Sequence, residues 1–331
     1  MDDTKPADIT IERSADIPSA LSGQRYDRIA AQLFPEFSRA RLQSWIESGQ
    51  LLADGARRRN RDKLYEGTTL SINASNCEQS EWQAESGALV IMHEDEQVLV
   101  IDKPAGLVVH PAVGNRTGTL ANFVLGHLPD NETLPRCGIV HRLDKDTSGL
   151  MVVAKTHESH ASLVRQLEQR SVTRLYRAIA CGTLIAGGTI DRAIGRHPTV
   201  RTKMAVVDAA RGKHAVSHYR IAQRFGHHTE LSIKLETGRT HQIRVHMAEL
   251  GHPLVGDRMY NPRFRAAAGL SAVMNDYLRE FSRQALHAEQ LEFIHPYHGE
   301  TLRCESPPPA DYLALLEQLH VNDAVIPDKK P

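Results

Sequence analysis

The chain has 331 residues, with 40 Lys and Arg against 40 Asp and Glu, so its formal net charge is zero. Hydrophobic residues at 41% and charged residues at 24% suit an ordinary globular protein and exclude a disordered, collagen-like or coiled-coil chain. No apolar run approaches the roughly 18 residues that span a bilayer. The polar start Met1-Asp2-Asp3-Thr4-Lys5-Pro6 lacks the basic and apolar regions of a secretory signal, which predicts a soluble, cytoplasmic protein.

In chain order, residues 1–22 are acidic and polar without a period and read as a flexible leader. Tyr26–Phe34 is apolar at helical spacing and ends before Pro35. Ser38 is placed to cap a second helix, with Leu42, Trp45 and Ile46 on one face and Gly49 as its stop. Short strands follow around Leu51–Ala53 and Thr69–Ile72, separated by the turn Asp54-Gly55 and the cluster Arg57-Arg58-Arg59-Asn60-Arg61. Residues 23–75 thus form a small module, and a polar, acidic linker is expected over 76–87.

Beyond the linker, the spacing predicts strands at 88–92 and 98–101 with Glu94-Asp95-Glu96 as the turn, and further strands at 150–154, 175–181, 215–221 and 229–235. Helices are predicted over 158–170, 240–250 and 311–320. Strands and helices alternate irregularly, which favours an α+β domain over residues 88–322 with a mixed, largely antiparallel sheet, and leaves 323–331 as a tail.

The zero net charge averages unlike segments. Asn76 to Gln97 holds six acids and no Lys or Arg, whereas Arg192 to Arg220 holds seven basic residues against Asp208 alone. With the Arg57–Arg61 cluster, this asymmetry suits a polyanion-binding face on a neutral body, or a solvated charged loop. Four cysteines (Cys77, Cys137, Cys181, Cys304) lie far apart and read as reduced thiols rather than a disulfide framework. Eighteen histidines include no H-E-x-x-H, and His227-His228 are adjacent and so face apart; no metal site is predicted.

Two segments carry the chemistry. Gly138-Ile139-Val140-His141-Arg142-Leu143-Asp144-Lys145-Asp146-Thr147-Ser148-Gly149 is a loop dense in acid, base and hydroxyl groups that runs straight into an apolar strand. Arg142 and Lys145 flank Asp144 and favour its ionised form, which suits a nucleophile or a base; a surface turn with local ion pairs would use the same residues. In Glu236-Thr237-Gly238-Arg239-Thr240-His241-Gln242-Ile243-Arg244-Val245-His246-Met247 a strand ends at Gly238 and Thr240 is placed to cap the next helix. Thr240, Arg244 and Met247 share a face, so Arg244 can point toward a carboxylate at a strand start, or simply lie exposed. Tyr176, on a predicted strand, suits a site or plain core.

Together these segments resemble the RNA pseudouridine synthases that act on large-subunit (23S) ribosomal RNA. The resemblance rests on H-R-L-D-x-D-T-S-G at 141–149, G-R-T-H-Q-I-R-V-H-M at 238–247, Gly251-His252-Pro253-Leu254-Val255-Gly256-Asp257 and Asp102-Lys103-Pro104-Ala105-Gly106-Leu107. It spans about Gln24 to Gln318, and the front module resembles an S4-type RNA-binding domain, with Ala53-Asp54-Gly55 where that domain usually has Val-Asn-Gly. By this resemblance Asp144 is the catalytic aspartate, Tyr176 the active-site tyrosine and Arg244 the partner of the aspartate. Arg142 then helps displace the target base, His141, Thr147, Arg239, His241 and Gln242 contact substrate, and Arg39, Arg41, Arg57, Arg58, Arg59 and Arg61 contact RNA from the front module. The resemblance implies a monomer that needs no cofactor and acts on ribosomal RNA, free or in the assembling large subunit. A non-catalytic assembly factor would have no reason to keep Asp144, Tyr176 and Arg244 together, and a carboxylate hydrolase would need a second positioned acid, for which only Asp146 is near.

Overall fold

The structure is a computed structural model that describes residues 10–35, 37, 39–75, 82–111, 115–200, 202–262 and 270–325. It divides into two compact units, Met1–Glu81 and Trp82–Pro331. No helix among the described residues is long and apolar enough to cross a membrane.

The first unit comprises β1 (Thr10–Asp16), α1 (Tyr26–Leu33), α2 (Arg39–Ser48), β2 (Leu51–Ala53) and β3 (Thr69–Ser75), with the strands ordered β1-β3-β2. Tyr26, Ile29, Leu42, Trp45 and Ile46 from the helices close over Leu51, Leu70 and Ile72. The expected leader is therefore too long: residues 10–16 are an edge strand antiparallel to β3. The odd-numbered Ile11, Ala15 and Ile17 fall on the face that packs on this core, and a two-residue period carried by only three apolar residues is weak in sequence. Ser38, the expected cap of α2, lies outside the described residues.

The second unit is built from β4 (Val90–Glu94), β5 (Val98–Lys103), α3 (Leu120–His127), β6 (Ser148–Ala154), α4 (His157–Glu168), β7 (Thr173–Cys181), β8 (Gly188–Asp191), β9 (Ile194–Arg196), β10 (Met204–Val206), β11 (Val216–Arg224), β12 (His228–Leu235), α5 (Gln242–Glu249), α6 (Ala272–Glu280), β13 (Leu286–Ile294), β14 (Thr301–Glu305) and α7 (Ala310–Val325). Among the described residues, nine strands form one sheet in the order β4-β5-β6-β13-β7-β12-β11-β8, with β14 paired to β13; β9 and β10 make a separate ribbon. Every pairing in the large sheet is antiparallel except β6 with β13. The α+β reading with a mixed, mainly antiparallel sheet thus matches the second unit.

The sheet is covered on both faces. Leu99, Ile101, Met151 and Val153 join Leu120 and Val124 of α3 in one core, while Val98, Val100, Leu150 and Val152 join Leu163 of α4 in another. This is why β5 and β6 read as unbroken apolar runs. Thr156 caps α4 by accepting a hydrogen bond from the Ser159 amide at 3.1 Å.

The expected linker over 76–87 also ends early. Residues 76–81 lie outside the described set, but Asn122 of α3 donates to the Gln83 carbonyl at 2.8 Å and accepts, through its own carbonyl, from the Glu85 amide at 3.0 Å. The Glu85 carboxylate receives the Gly118 amide, and Trp82 packs against the larger core. A polar composition concealed an ordered strap.

Candidate active site

Asp144 sits in the loop that leads into β6. A fully buried lysine at the end of β5 fixes this loop: Lys103 Nζ donates to the carbonyls of Pro104 (2.8 Å), Leu107 (3.0 Å) and Lys145 (2.9 Å). The Gly106 amide meets the same Lys145 carbonyl at 2.9 Å. Burial pulls the Lys103 ammonium down to about 8, against the attraction of Asp146 and Asp144. At the loop's exit Gly149 has φ +116°, and a Cβ there would lie 2.3 Å from the Ala288 carbonyl oxygen. Only glycine lets β6 approach β13 this closely.

From the other side α5 supplies Arg244, 7% exposed. Its Nη1 donates to Asp144 Oδ2 at 2.9 Å, while Nε and Nη2 donate to the two oxygens of fully buried Asp257 at 2.7 and 2.9 Å. All three guanidinium nitrogens are engaged, which holds the cation against Asp144. Burial acts to lower the Arg244 guanidinium, but the bonds and charge of Asp257, and then of Asp144, outweigh it and raise it. The Tyr260 ring lies 5.1 Å from the Arg244 guanidinium carbon, and its hydroxyl is 2.8 Å from His241 Nδ1 and accepts from the Met204 amide at 3.0 Å. His241 Nε2 stands 3.9 Å from Asp144 Oδ1, and burial, partly offset by Asp144, lowers the imidazole so that it stays neutral.

Tyr176 comes from β7, with Ile233 and Ala288 as its cross-strand neighbours. Burial raises its phenol, and the nearby Arg174 charge acts in the opposite sense. Asp144, Tyr176 and Arg244 line one cavity of about 740 Å³, as do His141, Arg142, Thr147, Arg239, His241 and Gln242. That volume suits a nucleotide-sized ligand. His141 Nε2 accepts from the Val152 amide at 3.1 Å, which leaves the ring proton on Nδ1; burial and then Arg174 pull the ring down to about 3. Arg142 is exposed among the lining residues. Arg239 lines the same space while its Nε donates to the His214 carbonyl at 3.0 Å.

Two of the expected substrate contacts, though they line the cavity, also hold the chain together. Gln242 is 3% exposed, and its amide is consumed by the chain. Its Oε1 accepts from Thr237 Oγ1 and the Arg239 amide, and its Nε2 donates to the Val216 carbonyl and Ser217 Oγ. This network shapes the 237–242 turn, so α5 starts at Gln242 with His241 in the left-handed region (φ 58°), and Thr240 is not its cap. Thr147 is 2% exposed and accepts from Gln284 Nε2 at 2.9 Å, which makes it a brace of the Asp144 loop.

In the first unit Arg39 donates to buried Asp27 at 2.7 Å. Burial would raise the Asp27 carboxyl, but hydrogen bonds from Arg39, Gln43 and Arg25 outweigh it and hold it at about 2. Arg41 stacks over Trp45 at 4.7 Å. These two arginines are therefore tied into the unit's own structure. Arg57, Arg58, Arg59 and Arg61 line a shallow cavity of about 620 Å³, although Arg57 also donates to the Ser48 carbonyl at 2.6 Å.

Sequence reasoning missed Asp257, Tyr260, Lys103 and Arg174 as parts of the site. Asp257 and Lys103 stand inside the family's motifs, whereas Tyr260 and Arg174 have no signal beyond their neighbours.

The sequence signature of the RNA pseudouridylate synthase family matches residues 97–249, which include Asp144, Tyr176 and Arg244. Ribosomal large subunit pseudouridine synthase D of Pseudomonas aeruginosa is 58% identical over 309 residues, 93% of this chain and 96% of that protein. The protein of the same name from Xanthomonas campestris is 49% identical over 321 residues, 97% of this chain and 96% of that one. The solved structure of Human RNA Pseudouridylate Synthase Domain Containing 4 superposes with a TM-score of 0.54 at 27% identity, covering 70% of this chain and 93% of its own. With likeness along almost its whole length, the chain belongs to the RNA pseudouridylate synthase family.

Proposed function

We propose that the protein isomerises uridines of the large-subunit ribosomal RNA to pseudouridine. The observation that carries this reading is the Asp144 carboxylate gripped by Arg244, itself clamped by Asp257, in a cavity that also presents Tyr176. The substrate is the one that the names of its relatives give.

The reaction breaks the N1–C1′ bond, turns the uracil and joins C5 to C1′; C5 gives up its proton and N1 takes one up, both exchanged with solvent. Every heavy atom of the base is kept and there is no net oxidation or reduction, so the chemistry calls for no cofactor. A uridine stacked in RNA must leave its stack, at a cost of a few kcal/mol; Arg142 takes its place, while the cavity receives the nucleotide. Asp144 acts on the sugar, Arg244 holds Asp144 in position, and Tyr176 packs on the uracil and takes part in removing the C5 proton. The first unit, two helices on a small sheet with an arginine segment at its surface, serves as an S4-type RNA anchor. The protein works as a cytoplasmic monomer on free ribosomal RNA or on the assembling subunit.

Incubation with unmodified ribosomal RNA, followed by mapping of pseudouridine, tests the reading. Wild-type protein forms pseudouridine at defined large-subunit positions, and Asp144→Asn forms none while binding the RNA almost as well. Pseudouridine production by Asp144→Asn, or none by the wild type, would overturn it.

A further inference from the structure

Two arginines are less than a tenth exposed among the described residues, and they differ in one respect. Arg244 has two carboxylates. Arg174, 6% exposed, has none within ion-pair distance: its Nη2 reaches only the Glu236 carbonyl at 3.3 Å, and its buried Nε has no partner. Elsewhere in the unit Arg177, three residues along β7, is paired with Glu230 and Glu289, and Arg283 with Asp311. A buried, unpaired guanidinium is costly and cannot shed its proton, so its retention calls for an anion from outside the chain.

The surroundings point the same way. Arg174 and Tyr176 are two residues apart on β7 and leave it on the same face, into the same cavity. No nearby ionisable group supplies a free negative charge: His141 is neutral, Tyr176 is protonated, Asp144 is committed to Arg244, and the Glu236 carboxylate is taken by Arg170 and His218. Gly238 leaves the space the guanidinium occupies, since a Cβ there would lie 2.6 Å from Arg174 Nη1. Arg136, Arg142 and Arg239 line the same cavity and continue the positive track.

We propose that Arg174 is the receptor for a phosphate of the bound RNA, one of the two that flank the flipped nucleotide. This rests on the reading that the cavity takes an RNA nucleotide, and adds to it a built anion subsite. A phosphodiester fits because its charge is permanent, like that of the arginine, and two of its oxygens match the guanidinium fork. The other source of an anionic oxygen is the uracil, on which charge collects only while the glycosidic bond breaks.

The test uses full-length protein and a synthetic RNA stem–loop spanning a uridine that the protein isomerises in unmodified ribosomal RNA. A neutral methylphosphonate replaces the linkage on the 5′ or the 3′ side of that uridine. At one of the two linkages, KM for the wild-type protein rises about 10- to 100-fold, the range of a forfeited charge-assisted hydrogen bond. Arg174→Met raises KM for the all-phosphate RNA to a similar extent and lowers the salt slope of binding by about one. The loss falls on KM, and combining the variant with the neutral linkage adds nothing further. Arg174→Lys, which keeps a cation, recovers part of the loss and the salt slope. If Arg174→Met does not fold, the methylphosphonate series on wild-type protein decides alone. Wild-type protein indifferent to both neutral linkages overturns the proposal, as do additive losses. A fall in kcat with KM unchanged also overturns it and assigns Arg174 to the departing base. Ribosomal RNA left without any pseudouridine defeats the functional reading itself, whereas isomerisation with Arg174 indifferent to phosphate defeats only this inference.

Discussion

At the scale of single residues, the site depends on Asp257 as much as on the residues its motif advertises. Asp257 has no side-chain exposure and accepts two of the Arg244 donors, so Asp257→Asn leaves that cation without its fixed carboxylate. Breaking a buried pair from one side typically costs about 3–5 kcal/mol. The expected result is a lowered unfolding midpoint together with a lowered kcat; unchanged kcat in a folded Asp257→Asn protein would show that Arg244 is aimed by other means. Tyr176→Phe keeps the ring and removes the hydroxyl. RNA binding is expected to persist while pseudouridine release stops; retention of most activity would reduce Tyr176 to a packing ring. Gln242 and Thr147 carry the opposite lesson, since both sit in the motifs yet spend their polar atoms on the chain. A motif names residues that the site requires, and the hydrogen-bond partners of each show which spend their polar atoms on holding the loop.

At the scale of elements, the loop before β6, strand β7 and helix α5 converge on one cavity although Asp144, Tyr176 and Arg244 are far apart in sequence. Strands β4 to β7, β11 and β12 and the helices α4, α5 and α7 were legible because their apolar residues are numerous and regularly spaced. The central β13 and the short β8, β9, β10 and β14 were not: in β13 His287, Glu289, Gln290 and Glu292 interrupt the apolar pattern, because the strand exchanges partners from β6 to β14 along its length. The arginine segment between β2 and β3 supports a prediction of its own. Arg58, Arg59 and Arg61 are exposed at its surface. Changing all three to Gln is expected to weaken RNA binding and to reduce the salt slope by roughly 0.7–0.9 for each phosphate no longer neutralised, with thermal stability unchanged. Identical salt slopes for variant and wild type would remove this segment from the RNA interface.

At the scale of the whole molecule, acid sensitivity follows from histidines that fold neutral. His228 is 5% exposed, its Nδ1 has no partner, and burial, with His227 nearby, pulls its ring down to about 4 from 6.5. The unfolded chain therefore binds a proton that the folded chain refuses, so stability is complete above pH 6.5 and is lost as pH falls from there toward 4. At pH 5 the loss is about 2 kcal/mol from this group. Urea midpoints at pH 7 and pH 5 check it: His228→Gln is expected to lose less on acidification than the wild type, and equal losses would place the acid sensitivity elsewhere. Regular spacing of apolar residues made the α+β class legible, and motifs of residues adjacent in the chain carried the family resemblance, which in turn singled out Asp144, Tyr176 and Arg244, three residues that line one cavity. That β1 closes the first sheet, that residues 82–87 pack against α3, and that Asp257 clamps Arg244 while Arg174 has no anion emerge from the folded chain alone. Each of these depends on which groups meet across the fold and on how little water reaches them, and neither distance nor burial is written in the order of residues.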